Sequence, residues 1–164
     1  TLSDSNDDSP ELHFADYIDI TPRRREFLLP PMQNTMRVTF ADQIRLAGYD
    51  FEHKDHTLKL TLHWHALGQI SVDYKYFVHV WSDSEVVAQL DAMPDSYGYP
   101  TSWWAPDEVF SDTVELDVTD AGPDDMTVNL GLYNAETGQR LPIVTANGSP
   151  SSEDWITLLP VGAK

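Results

Sequence analysis

Three histidines in the middle of the chain have the spacing of a metal site. His63 and His65 stand at alternate positions of one predicted strand, so their side chains share a face, and His79 lies in the next predicted strand. A hairpin that closes near residues 69–71 would bring His79 opposite His63, although a shift of one residue in register would move it to the other face. Three neutral imidazoles with an open fourth position form a hydrolytic or hydrating zinc site. Two interpretations of these histidines remain open. They could form the metal site of a zinc enzyme, or they could be ordinary polar residues on the protein surface.

An acidic stretch, DVTDAGPDD at residues 117–125, is a second arrangement of metal-ligand type. Hard oxygen ligands in an inter-strand loop can bind calcium, but this spacing does not fit an EF-hand. Asp, Gly and Pro also favour turns for backbone reasons, and we prefer that interpretation. We expect no cofactor, with zinc and calcium as the alternatives.

A proline-framed aromatic stretch, YGYPTSWWAP at residues 97–106, is the most unusual segment of the chain. Exposed aromatic rings can stack on sugar faces while neighbouring polar groups, here Asp95, Asp107 and a threonine, bind hydroxyls. The predicted ligand-binding residues are Tyr97, Tyr99, Thr101, Trp103 and Trp104. The alternative is that the tryptophans pack the loop and close one end of the domain.

Composition excludes several other classes of function. The 27 acidic and 10 basic residues give a net charge of −17, which repels nucleic acid, and we expect the basic run at residues 23–25 to be solvated. The absence of cysteine excludes disulfides, thiolate chemistry and Cys-ligated zinc. No Gly-x-Ser-x-Gly motif occurs, and no Ser/His/Asp set has an adjacency that the sequence specifies, so nucleophilic catalysis is not predicted.

The elements that position these residues are short strands. Strict alternation of apolar and polar residues at 58–65, LKLTLHWH, indicates a strand with one face in the core and one in water. Eight such segments are predicted, at residues 37–42, 44–52, 57–67, 74–82, 86–91, 109–118, 126–134 and 155–160. They predict a single all-β domain at residues 37–164, an immunoglobulin-like or jelly-roll-like antiparallel β-sandwich of about eight strands. Residues 1–36 are expected to be an acidic leader followed by irregular or edge structure.

Five stretches carry a family resemblance. They are FADQIRLAGY at 40–49, LTLHW at 60–64, DYKYFVHV at 73–80, YPTSWWAPDEV at 99–109 and GLYNAETGQRLP at 131–142. Their order and spacing resemble the soluble β-sandwich domain that lies C-terminal to bacterial multi-spanning membrane glycosyltransferases of the polyprenyl-phosphate-sugar-dependent, mannosyltransferase-like type. The resemblance covers residues 38–160. His79 fits the Phe-Val-His strand of that family, and Asp107 stands where the family commonly has glycine.

The resemblance implies a non-catalytic accessory domain on the extracytoplasmic face of a bacterial membrane, as part of a larger membrane protein. Catalysis would reside in the membrane-embedded portion of the same polypeptide. The implied partners are that portion and a glycan or lipid-linked sugar, with a protein partner as a further option and nucleic acid excluded. A structural spacer without a ligand is the second alternative, beside the zinc enzyme.

Overall fold

The described residues form nine strands and one short 3₁₀ helix. The computed structural model describes residues 23–121 and 126–161, so residues 1–22 of the predicted leader lie outside the described part. The strands are β1 (Asn34–Phe40), β2 (Ile44–Lys54), β3 (Thr57–Ala66), β4 (Tyr74–Ser82), β5 (Glu85–Ala92), β6 (Val109–Asp117), β7 (Met126–Asn134), β8 (Ile143–Val144) and β9 (Ile156–Val161), with the 3₁₀ helix at Thr101–Trp103. No helix among the described residues is long and apolar enough to cross a bilayer.

The strands form two antiparallel sheets, which confirms the predicted all-β sandwich. One sheet has the order β6-β3-β2-β1-β8 and the other has the order β5-β4-β7-β9. Strand β1 begins at Asn34, earlier than the predicted position 37, and the two-residue strand β8 was not predicted. Two residues are too few to show an alternating pattern, so β8 depends on its pairing with β1.

The core lies between the sheets and follows the predicted alternation. Leu58, Leu60, Leu62 and Trp64 of β3 are buried, as are Val128, Leu130 and Leu132 of β7. The Trp64 ring lies 6.1 Å from the ring of Phe40 in its own sheet and 6.0 Å from that of Tyr76 in the other sheet. Each fully buried large side chain contributes about 1.5–3 kcal/mol. The aromatic cluster therefore joins the two sheets.

A β-bulge in β2 decides which of its residues face outward. The pairing with β3 shifts between Leu46 and Gly48, so that Gly48 pairs with His63 and Tyr49 pairs with Leu62. Tyr49 enters the core after the bulge, and its neighbour Asp50 lies on the outer face. The bulge thus places a carboxylate on the same face as His63.

A crossing segment, defined as residues 26–33, lies over the outer face of the five-stranded sheet. Glu26 forms an antiparallel bridge with Val109 at the start of β6, and Gln33 donates its backbone N–H to Asp50 in β2. A Cβ atom on Gly48 would collide with the sulfur of Met32 and the carbonyl oxygen of Asn34. Glycine at position 48 therefore allows the segment to pack directly on the sheet.

The crossing segment changes the environment predicted for His63. We expected this histidine on a face open to water, but its side chain is only 4% exposed. Strand β3 lies between Val109 and Gly48, the two points where the segment contacts the sheet. The expectation of a wet face was wrong for His63 because alternation along a strand cannot show what covers the outer side.

Candidate functional site

The aromatic loop connects β5 to β6 and is organised around one buried carboxylate. Glu108, 1% exposed, accepts a hydrogen bond from the hydroxyl of Tyr99 at 2.7 Å and one from the backbone N–H of Ala105 at 2.7 Å. The guanidinium of Arg25 also contacts this carboxylate, at 2.8 Å. Burial, with the hydrogen bond to Glu108, raises the pKa of Tyr99 to about 12. Tyr99 therefore stays a neutral donor and holds the loop.

Two more of the predicted ligand-binding residues have structural roles in this loop. Thr101 is buried, and its hydroxyl donates to the carbonyl of Val72 at 2.7 Å and accepts from the backbone N–H of Tyr74 at 2.9 Å. The buried ring of Trp104 donates Nε1–H to the carbonyl of Tyr99 at 3.2 Å. Because these groups are already paired inside the protein, Tyr99, Thr101 and Trp104 support the loop and do not face a ligand.

The remaining two predicted residues, Tyr97 and Trp103, are exposed. Their relative exposures are 53% and 60%. The ammonium of Lys75, on β4, lies 5.1 Å from the centre of the Tyr97 ring. The structure therefore reduces the predicted five-residue surface to two aromatic rings carried by a well-anchored loop.

The backbone that presents Tyr97 is in an unusual conformation. Asp95, Ser96 and Tyr97 have φ angles of 54°, 49° and 74°, which lie in the left-handed region that favours glycine. Asp95 is held by Arg23, and its backbone N–H donates to Asp112 at 3.2 Å. The surrounding contacts thus hold a bulky, exposed side chain on a strained backbone.

Asp95 and Asp107, the carboxylates expected to bind sugar hydroxyls, lie in different environments. Asp95 pairs with Arg23, whose guanidinium also lies 4.2 Å from the centre of the Tyr99 ring. Asp107 is highly exposed and lies 3.8 Å from Nε2 of His65. Of these two carboxylates, only Asp107 stands free of an arginine, so it is the better placed to meet a solvent-borne ligand.

The proposed three-histidine metal site does not form. His63 and His65 lie on β3 in the five-stranded sheet, whereas His79 lies on β4 in the other sheet and packs 4.9 Å from the ring of Phe77. The hairpin that was expected to pair His79 with His63 is wrong, because β3 pairs with β2 and β6 and the chain crosses to the second sheet after Ala66. No group of three or more His, Cys, Asp or Glu residues with metal-binding geometry occurs in residues 23–121 and 126–161.

The acidic stretch is described only in part. Asp117 Oδ1 accepts hydrogen bonds from the backbone N–H and the hydroxyl of Thr119, at 3.0 and 2.5 Å. Such a bond two residues along the chain is typical of an Asx turn. Residues 122–125, which include two of the carboxylates considered for calcium, lie outside the described residues.

A hydrogen-bonded Asp-His-Ser set lies on the outer face of the five-stranded sheet. His63 Nε2 lies 2.8 Å from Asp50 Oδ2, and His63 Nδ1 lies 2.8 Å from Ser111 Oγ. The three residues come from β2, β3 and β6, which are neighbours in the sheet, and His63 pairs directly with Ser111. Sequence analysis missed this set because strand order and the bulge in β2 bring its members together.

The pKa of Asp50 indicates which groups of this set donate hydrogen bonds and which accept them. Partial burial acts to raise the pKa of Asp50, but hydrogen bonds from Gln33 and His63 outweigh it and the pKa is lowered. An ionised carboxylate can only accept, so His63 Nε2 is the donor to Asp50, and the tautomer with its proton on Nε2 leaves Nδ1 to accept the proton of the Ser111 hydroxyl. Ser111 is exposed at the end of this chain of hydrogen bonds.

Ser111 borders a cleft between the crossing segment and β6. The cleft has a volume of about 400 Å³, and its walls include Arg24, Leu28, Phe110 and Ser111. Arg24 is paired with Glu26 at 3.1 Å, so the cleft carries little unbalanced charge. This places a cleft with both charged and apolar wall residues beside Ser111.

Comparison with protein-family models, curated proteins and solved structures gives no match for this chain. The resemblance to glycosyltransferase-associated domains therefore stays a prediction. The described residues form an antiparallel β-sandwich of a five-stranded and a four-stranded sheet.

Proposed function

We propose that this chain is an accessory domain that binds carbohydrate through the exposed rings of Tyr97 and Trp103. The supporting observation is that two aromatic side chains remain exposed on a loop whose other aromatic side chains are buried. Tyr and Trp combine a flat apolar face with a polar group, which suits them to stack on sugar rings and reach sugar hydroxyls. Lys75, beside the Tyr97 ring, and Asp107, four residues after Trp103 in the chain, are the charged groups that would bind hydroxyls.

The strained backbone at Tyr97 adds support to this proposal. A bulky residue with φ near +74° costs stability, and asparagine or glycine would fit the same backbone with less strain. Strained residues of this kind cluster at binding and active sites, and the exposed ring of Tyr97 contributes little to the core. A binding role for the ring accounts for the cost.

The proposal includes a parent protein. By the resemblance of residues 38–160, the domain would follow the membrane-embedded part of a bacterial glycosyltransferase, on the extracytoplasmic face, and its ligand would be a glycan or lipid-linked sugar. Sequencing the gene upstream of the codon for Thr1 tests this directly. Several membrane-spanning segments are expected there, and a cytosolic enzyme sequence would overturn this part of the proposal.

Binding is tested with a glycan array followed by calorimetric titration of the sugars that bind. Tyr97→Ala and Trp103→Ala should each weaken binding about two- to tenfold, because one aromatic stacking contact is worth about 0.5–1.5 kcal/mol. Val86→Ala, which also removes an exposed apolar side chain but lies on β5, is the matched control and should bind like the wild type.

The results separate binding from a spacer role. Weakened binding in both loop variants, with unchanged melting temperatures, supports the proposal. If no glycan binds, or if binding survives both substitutions, the carbohydrate proposal fails and a structural spacer becomes the better account of the domain.

A further inference from the structure

We propose that Asp50, His63 and Ser111 form a nucleophilic site that hydrolyses small carboxylic esters in the cleft beside Ser111. This proposal is independent of carbohydrate binding by the aromatic loop, and it revises the expectation of a non-catalytic domain. It depends on three features of the described residues: the order of the hydrogen bonds, the contrast in exposure between His63 and Ser111, and the position of Ser111 on an edge strand.

The order of the hydrogen bonds is that of a carboxylate, an imidazole and a hydroxyl. Both distances are 2.8 Å, within the range expected between a nucleophile and its base and between the base and its orienting group. In familiar serine hydrolases Nε2 of the histidine contacts the serine, whereas here Nδ1 contacts the serine and Nε2 contacts the aspartate. A relay needs one nitrogen that donates and one that accepts, and either arrangement meets that need.

Catalysis requires a fixed base and an accessible nucleophile, and His63 and Ser111 differ in solvent exposure in this way. His63 is almost fully covered, so its ring is fixed and shielded from competing water, whereas Ser111 is exposed and borders the cleft of about 400 Å³. That volume lies in the range of small-molecule sites. The cleft walls of Leu28 and Phe110 are apolar and would take the acyl group of an ester.

The edge position of Ser111 supplies a donor for the developing oxyanion. Val109 N–H points away from β3, since it donates to Glu26 at 2.8 Å. In an antiparallel ladder, residues two apart direct their N–H groups the same way, so Ser111 N–H also points to the outer edge of β6. A backbone N–H beside the nucleophile can bind the oxyanion of a tetrahedral intermediate.

The reaction follows from these positions. Ser111 Oγ attacks the ester carbonyl carbon while its proton passes to His63 Nδ1, and Asp50 stabilises the resulting imidazolium. The C–O bond to the alcohol then breaks, and the alcohol leaves with the proton from Nδ1. Water next attacks the acyl-serine, again giving a proton to Nδ1. Cleavage of the acyl–Oγ bond releases the acid and returns that proton to Ser111.

The experiment uses the full chain, a fluorophosphonate probe and p-nitrophenyl acetate. The probe should label one residue, located at Ser111 by peptide mass spectrometry. Ester hydrolysis should fall about 100-fold or more in Ser111→Ala and in His63→Asn, in line with loss of a nucleophile or a general base. Thr113→Ala, two residues along the same face of β6, is the matched control and should keep both labelling and rate.

Each outcome decides the proposal. Labelling at Ser111 that is lost in His63→Asn and kept in Thr113→Ala supports it, provided circular dichroism shows both variants folded. Ser111→Ala alone remains decisive if His63→Asn does not fold, because the exposed serine can be replaced without disturbing the core. An equal hydrolysis rate in wild type and Ser111→Ala, or probe attached elsewhere, overturns the proposal and leaves a structural network that anchors the crossing segment.

Discussion

The hydroxyl of Tyr99, in the aromatic loop, donates to the carboxylate of Glu108 at 2.7 Å, and both residues are buried. Glu108 also binds Arg25, which precedes the crossing segment. One carboxylate thus ties the loop that exposes Tyr97 and Trp103 to the N-terminal part of the described chain. The two candidate sites consequently share a structural support.

Replacing Glu108 with alanine should destabilise the domain by about 3 kcal/mol. The substitution removes three hydrogen bonds and leaves Tyr99 and Arg25 without their carboxylate partner. Removing one partner of a buried ion pair costs about 3–5 kcal/mol, and the lower end applies because Arg25 is partly exposed. Urea denaturation gives the free energy of unfolding. Glu136→Ala, in an exposed turn, is the control and should change it by less than about 0.5 kcal/mol. Equal effects of the two substitutions would contradict the role given to Glu108.

Gly48→Ala should lift the crossing segment from the sheet. The added methyl group would collide with backbone and side-chain atoms of Asn34 and Met32, and overpacking of this kind costs about 1–3 kcal/mol. Amide hydrogen exchange should show faster exchange at Gln33. Gly68→Ala is the matched control, because a Cβ atom there meets nothing within 4 Å. Unchanged exchange and stability in Gly48→Ala would show that the segment does not pack on this glycine.

Asp112 should make the domain less stable as the pH rises. Burial raises its pKa in the folded state above the ordinary value of 3.8, despite the hydrogen bond from Tyr76 at 2.6 Å. The stability contribution of the protonated form is complete below pH 3.8 and is lost as the pH rises through the folded-state pKa. Relative to the wild type, Asp112→Asn should therefore gain stability between pH 4 and the upper end of that titration.

Denaturation curves at several pH values test this sign. Asp83→Asn, in the exposed turn between β4 and β5, makes the same chemical change and should keep the pH dependence of the wild type. A wild type that becomes more stable relative to Asp112→Asn as the pH rises would contradict the direction assigned to Asp112.

The conformation of Asp107 predicts opposite effects of two substitutions. Its φ of 63° lies in the left-handed region, and its backbone N–H donates to Ala66 at 3.0 Å. Asp107→Gly should be neutral or stabilise the domain by up to about 1 kcal/mol, because glycine adopts this φ without strain. Asp107→Val should destabilise it by about 1–2 kcal/mol. Equal melting temperatures of the two variants would contradict the strain at this position.

The sequence by itself determined the strands and the inward-facing residues of the sandwich. The alternation of apolar and polar residues along β3 and β7 is a local pattern. It has a period of two because successive side chains of a strand point to opposite faces and only one face lies in the core. The same local information located the aromatic loop. It could not tell that Tyr99 and Trp104 are buried while Tyr97 and Trp103 are exposed, since proline-framed loops have no regular period.

The tertiary structure alone decided the chemistry of the histidines. His79 is separated from His63 because the chain changes sheets after β3, and strand order is set by packing between distant segments. The contact of His63 with Asp50 depends on the bulge in β2, and its contact with Ser111 depends on the pairing of β3 with β6. These relationships join residues far apart along the chain, so no spacing within the sequence could specify them.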